Sequence, residues 1–232
     1  MSFNGNTNDL SGNNNKGIDY TSQNYVSGKK LQGLDFNGTT DYIRLTNTID
    51  SQNGLTFSFW VKTRGANGTE NNGSIISKYS KINNTRSFMI YSFGANETRG
   101  DNRLCAVFYK YGTSSGVHDH VKSYMEPVEL NVFPDPALWI IPNPKRLLTG
   151  TWTHCVINVT KTTIETWLNS ELCTKKIREF TTYNDSGSEP VFIGNNYDIG
   201  DGANNHFNGI LDELRIYNRE LTKSEIRALY MQ

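Results

Sequence analysis

Short stretches in which apolar and polar residues alternate recur along this chain, and they narrow the folds open to it more than any other feature. Leu55-Thr56-Phe57-Ser58-Phe59-Trp60-Val61 places Leu55, Phe57, Phe59 and Val61 on one side. An extended strand, with its period of two, is the element that does this. Similar runs occur at 87–93, 104–109, 152–159, 163–168, 172–176, 191–194 and 209–217, and Asn169-Ser170 marks a reversal between two of them. Gly and Asn separate the runs, which is turn chemistry. The 28 Asn and 23 Thr fit the same picture, and 12 Tyr, 11 Phe and 4 Trp are more rings than a disordered chain carries. The pattern predicts an all-β fold, a two-sheet antiparallel jelly-roll sandwich forming a single domain over residues 1–232.

One helix is expected at the C-terminus. Thr222-Lys223-Ser224-Glu225 is a capping box, and Ile226, Leu229 and Tyr230 follow as an apolar stripe. Trp60 faces away from its four apolar neighbours; it is either a sugar platform or, the favoured expectation, buried under the other sheet. His154 lies mid-strand as a sheet-face histidine.

Charge and chain ends limit the partners. Lys and Arg total 23 against 23 Asp and Glu, so no long-range attraction to nucleic acid is expected. No run approaches the roughly 20 apolar residues that span a bilayer. Residues 1–6, Met-Ser-Phe-Asn-Gly-Asn, lack a basic and apolar leader, which predicts synthesis and retention in a cytosol unless a longer, exported chain precedes them. Cys105, Cys155 and Cys173 are odd in number and widely spaced, which predicts three buried free thiols.

Residues 113–150 interrupt the alternation as a Pro-rich apolar insertion. Five of the six prolines fall there, together with Leu138-Trp139-Ile140-Ile141. Proline removes a ladder donor, so no central strand is expected. The apolar quartet either covers an edge of the sandwich or docks a neighbouring subunit. His118-Asp119-His120 is read as part of a solvated loop.

Three blocks resemble the laminin-G-like (concanavalin A-like lectin/glucanase) family. They are Phe3-Asn4-Gly5-Asn6-Thr7-Asn8-Asp9-Leu10, Gly33-Leu34-Asp35-Phe36-Asn37-Gly38-Thr39-Thr40-Asp41-Tyr42-Ile43, and Phe207-Asn208-Gly209-Ile210-Leu211-Asp212-Glu213-Leu214-Arg215-Ile216-Tyr217. The resemblance implies one structural calcium ion near the chain ends. Asp41 and Asp212 match the family's acidic positions, with Asn4, Asn6 and Asp9 as weaker ligands, and a hard cation takes such oxygens. The alternative is that the aspartates cap turns through backbone amides.

Glycoside hydrolysis needs two carboxyl groups at a fixed separation. Glu165 and Glu171 are separated by the Asn169-Ser170 turn, and Asp212 and Glu213 are adjacent, so no pair shares a strand face and no enzyme is expected. Residues 195–206 carry sugar-binding chemistry: Tyr197 to stack, and Asp198, Asp201, Asn204, Asn205 and His206 to bond hydroxyls. Two functions stay open. One is a recognition or adhesion module for a glycan or a protein surface. The other is a structural component of a large assembly, such as a viral capsid, decoration or fibre protein carried into a virion.

Overall fold

A computed structural model describes residues 1–22, 24–46, 49, 54–64, 73–80, 85–94, 101–110, 118–123, 139–140, 143, 145–179, 190–196 and 206–232. The alternating runs become strands of two antiparallel sheets. Sheet I runs β1 (Gly17–Asp19), β4 (Ile43–Leu45), β15 (Phe192–Ile193), β6 (Gly73–Ser80), β7 (Thr85–Gly94), β8 (Asp101–Tyr109) and β11 (Leu147–Leu148), and β9 (His118–Lys122) also pairs with β8. Sheet II runs β10 (Trp139–Ile140), β14 (Glu171–Ile177), β13 (Thr163–Leu168), β12 (Thr153–Val159), β5 (Leu55–Thr63), β16 (Asn208–Tyr217), β3 (Gln32–Asn37) and β2 (Tyr25–Ser27). Many neighbours are distant in sequence, as a jelly roll requires.

The core lies between the sheets. Leu55, Phe57, Phe59 and Val61 of β5 meet Ile43, Phe88, Ile90, Leu104, Ala106 and Phe108 from sheet I. Burying each large side chain contributes roughly 1.5–3 kcal/mol. The β13–β14 reversal places Asn169 at φ 51° and Ser170 at φ 65°. Two successive positive φ angles make the turn whose twist matches a hairpin. The three cysteines are free and buried.

Two expectations need correction. His118-Asp119-His120 belongs to strand β9, paired with β8 from Tyr109↔His118 to Cys105↔Lys122. The polar side chain at the core-facing position hid the strand from the apolar pattern. Asp119 is fully buried and bonds Lys176 Nζ at 3.0 Å, joining β9 of sheet I to β14 of sheet II. Burial pushes the Asp119 carboxyl up, while Lys176 pulls it down. Trp60, secondly, is not covered by the other sheet. It lies on the outer face of sheet II, stacked on Tyr230 of helix α1 (Lys223–Met231) at 5.7 Å between ring centroids. Lys29 Nζ sits 4.2 Å from its ring centre.

Helix α1 forms as the sequence predicts. The Thr222 hydroxyl accepts from the Glu225 amide, and the Glu225 carboxylate accepts from the Thr222 amide at 2.8 Å. Ile226 and Leu229 then pack against Val156, Trp167 and Leu221 on the outer face of sheet II. Register places His154 and Asp212 on either side of Trp60 in the same row. His154 Nε2 lies 2.9 Å from Ser58 Oγ, and its Nδ1 is buried without a hydrogen-bond partner. Burial, with Arg215 nearby, lowers its pKa from 6.5 to about 4. The Asp212 carboxylate accepts from the amides of Lys30 (2.8 Å) and Glu213 (2.7 Å), yet burial pushes it from 3.8 up to about 6.

These two groups bias acid stability in opposite directions. Below pH 6.5 the unfolded chain protonates His154 first, so its contribution to stability, about 3 kcal/mol at neutral pH, is lost as the pH falls through 4. Asp212 takes its proton first in the folded chain, so stability rises as pH falls from about 6 to 4. The His154→Gln variant is therefore expected to gain stability relative to the wild type on acidification from pH 7 to 4, read from urea midpoints. Identical pH profiles would refute the assignment. Thr222→Ala is expected to cost about 1 kcal/mol through loss of the cap, also read from urea midpoints.

Candidate functional site

Strands β1 and β4 pair from Gly17↔Leu45 to Asp19↔Ile43, and the Tyr20 amide extends the ladder to the Tyr42 carbonyl at 2.9 Å. Alternation sends Ile43 and Leu45 into the core and turns Tyr42 and Arg44 outward. Tyr20 and Tyr42 stack there with centroids 4.6 Å apart and planes 16° apart. Tyr20 is 46% exposed. Phe192 closes on the Tyr42 ring edge at 5.9 Å, and His206 lies at 6.4 Å. The result is a ring cluster at the edge of sheet I.

Backbone geometry holds the cluster. Gly194 continues β15 beside this edge at φ 83°, and a Cβ there would stand 2.4 Å from the Phe36 ring. The chain then returns through the Phe207 amide, which donates to the Gly194 carbonyl at 2.9 Å, and a parallel bridge joins His206 to Ser74. His206 Nδ1 is 3.2 Å from the Asp41 carbonyl oxygen. A carbonyl only accepts, so Nδ1 carries the proton, and Nε2 of the neutral ring is an acceptor.

The expected metal ligands serve separate contacts. Asp41 is buried, and its oxygens accept from the Ser22 amide (3.1 Å), the Ser22 hydroxyl (3.4 Å) and the Asn37 amide (3.0 Å). Asp212 accepts from the Lys30 and Glu213 amides. The two carboxylates thus fasten opposite ends of β3: Asp41 grips Asn37, its last residue, and Asp212 grips the turn that precedes it. Asn4 accepts from the Gln32 amide, Asn6 from the Asn8 amide, and Asp9 from the Ser11 and Asn15 amides. Among the described residues, no three His, Cys, Asp or Glu side chains are grouped to hold a metal ion. The donors around Asp41 and Asp212 are backbone N–H groups and the Ser22 hydroxyl, the turn-capping arrangement that was the alternative to a metal site.

Of the six residues expected to contact a sugar, only His206 is described; Tyr197, Asp198, Asp201, Asn204 and Asn205 lie outside the described residues. Leu138 and Ile141 also lie outside them. The backbone of Trp139 and Ile140 forms β10 on the edge of sheet II, where Ile140 is 51% exposed. Glu165 accepts from Trp167 Nε1 at 3.0 Å and pairs with Lys175 at 3.1 Å, whereas Glu171 is exposed and pairs with Lys145. Sequence reasoning did not single out Tyr20, Tyr42 or Phe192 as a site. Tyr42 stood within a family block, but the pairing brings to it Tyr20 from 22 positions before and Phe192 from 150 positions after, and leaves no local pattern.

No curated protein sequence matches the chain. Among solved structures, the binding domain of Paraclostridial Mosquitocidal Protein 1 superposes with a TM-score of 0.67 at 17% identity, covering 96% of this chain and 48% of that one. The receptor-binding domain of botulinum neurotoxin C/D mosaic serotype gives 0.61 at 13%, with 96% and 48% covered. The chain thus spans about half the length of these toxin structures. Domain 4 of AbnA, a GH43 extracellular arabinanase from Geobacillus stearothermophilus solved with arabinotriose, gives 0.60 at 23% identity, with 99% of this chain and 95% of that one covered. These likenesses establish the jelly-roll sandwich. The sequence model of the concanavalin A-like lectin/glucanases superfamily, in its laminin-G form, matches residues 37–227, most of the chain, and the protein belongs to that superfamily.

Proposed function

We propose that the protein is a non-catalytic glycan-recognition module whose sugar platform is the aromatic edge of sheet I. The observation that carries this reading is the half-exposed Tyr20 ring stacked on Tyr42. A sugar ring presents an apolar face of C–H groups and a rim of hydroxyls. The face packs on an aromatic ring, and the hydroxyls need a few fixed polar partners. His206 Nε2 is such an acceptor, held in place by the bond from Nδ1 to the Asp41 carbonyl. Residues 197–205 adjoin His206 in sequence, and in this reading Tyr197, Asp198, Asp201, Asn204 and Asn205 complete the site.

Two further points support it. Glu165 and Glu171 are each engaged with a lysine and stand on either side of a hairpin turn, which is not the arrangement that hydrolyses a glycosidic bond. Among the structural relatives, the arabinanase domain was solved with arabinotriose and the botulinum neurotoxin domain is a receptor-binding domain.

On an immobilised glycan panel, Tyr20→Ala and Tyr42→Ala are expected to weaken sugar binding by at least about tenfold. Tyr20→Ala should leave the urea midpoint unchanged because that ring is half exposed. Undiminished binding by both variants would refute the platform. The amide-filled carboxylates of Asp41 and Asp212 lead us to expect the same thermal midpoint in calcium and in a chelator. A clear rise with calcium would show that an ion contributes to the fold.

A further inference from the structure

The outer face of sheet I carries more than rings. Cross-strand register sets Ile18, Arg44 and Phe192 side by side, because Arg44 pairs with Ile18 on β1 and with Phe192 on β15. Directly opposed side chains in such ladders stand about 5 Å apart at Cβ. Arg44 is two residues from Tyr42 on the same face, and Ile18 is two residues from Tyr20, so the cation lies beside the stacked tyrosines. Lys16 is two residues before Ile18 on β1's side of the edge, and its carbonyl bonds the Thr46 amide. Both Lys16 and Arg44 are exposed, and among the described residues neither has a carboxylate partner.

The nearby acids point elsewhere. Asp19 accepts from the Thr21 amide and the Tyr25 hydroxyl, and Asp41 is occupied by Ser22 and Asn37. Elsewhere on the surface, Arg64 pairs with Asp35, and Arg219 with Glu225. Among the described residues, Arg44 and Lys16 thus stand exposed beside an aromatic surface with no carboxylate bonded to either. A guanidinium forms two parallel, charge-assisted bonds to a carboxylate or sulfate, and the flanking, exposed Ile18 supplies apolar contact for the stem of such a ligand.

We infer that the ligand is an acidic sugar, one bearing a carboxylate or sulfate, whose ring rests on Tyr20 and whose anion is clamped by Arg44 with Lys16 beside it. This rests on the sugar-platform reading and names its ligand class. The shared chemistry is an oxyanion on a sugar ring, and separate probes distinguish its two sources. The test measures binding of the full chain to sialyllactose and sulfolactose against lactose, and to trigalacturonate against galactotriose. At least one acidic sugar is expected to bind about tenfold more tightly than its neutral parent. That advantage should shrink when the ionic strength is raised from about 0.05 to about 0.5 M, because the pair is solvent-exposed. Arg44→Gln should abolish the advantage of the acidic sugar over its neutral parent. Equal binding of acidic and neutral sugars by the wild type, or an advantage that survives Arg44→Gln, overturns this inference and leaves the platform intact. Failure of all five sugars to bind overturns the inference and counts against the platform, which the Tyr20→Ala panel experiment then judges by itself.

Discussion

The contact between two apolar sheet faces governs the rest of this structure. Leu55, Phe57, Phe59 and Val61 are buried against Phe88, Ile90 and Phe108 because alternation leaves each sheet one face that water disfavours. Closing those faces fixes the register of every strand, since a slip by one residue would turn Phe57 outward and Ser58 inward. Register then decides which polar and aromatic side chains meet on the outside. The Tyr20–Tyr42 stack and the His154–Trp60–Asp212 row are both consequences of core closure.

The two outer faces differ in use. Sheet II is covered by helix α1, whose Ile226 and Leu229 fill the space over Val156 and Trp167 while Tyr230 lies on Trp60. The burial this imposes is visible in the chemistry: His154 is held neutral well below its ordinary range, and Asp212 is pushed up despite two amide donors. The edge of sheet I keeps Tyr20, Ile18, Arg44 and Lys16 open to solvent. An exposed aromatic ring beside an exposed cation is what a recognition surface needs.

Much of the fold was legible in the residues. Period-two alternation marked β5, β7, β8, β12, β13, β14 and β16, Asn169-Ser170 marked a hairpin, and the capping box at Thr222 marked a helix. Strand β9 escaped because Asp119 occupies a core-facing position, where the missing apolar residue is compensated by Lys176 reaching across from β14. Trp60 was rightly expected to be buried, but the cover is the C-terminal helix. A strand pattern reveals that a side chain points outward without revealing what lies over it.

For the site, His206 was named in advance, whereas Tyr20, Tyr42 and Phe192 were not. Local rules explain the difference: alternation and capping act over two to four residues, so they can be read along the chain. A cluster drawn from residues 20, 42, 192 and 206 is made by strand pairing between distant segments, and only the closed sandwich sets those rings together. The sequence by itself determined the two-sheet class, the helix and the buried thiols. The tertiary structure decided which outward face is covered, which aspartates accept from backbone amides, and which cation stands beside an exposed ring, because each of these depends on contacts between residues that the chain order keeps apart.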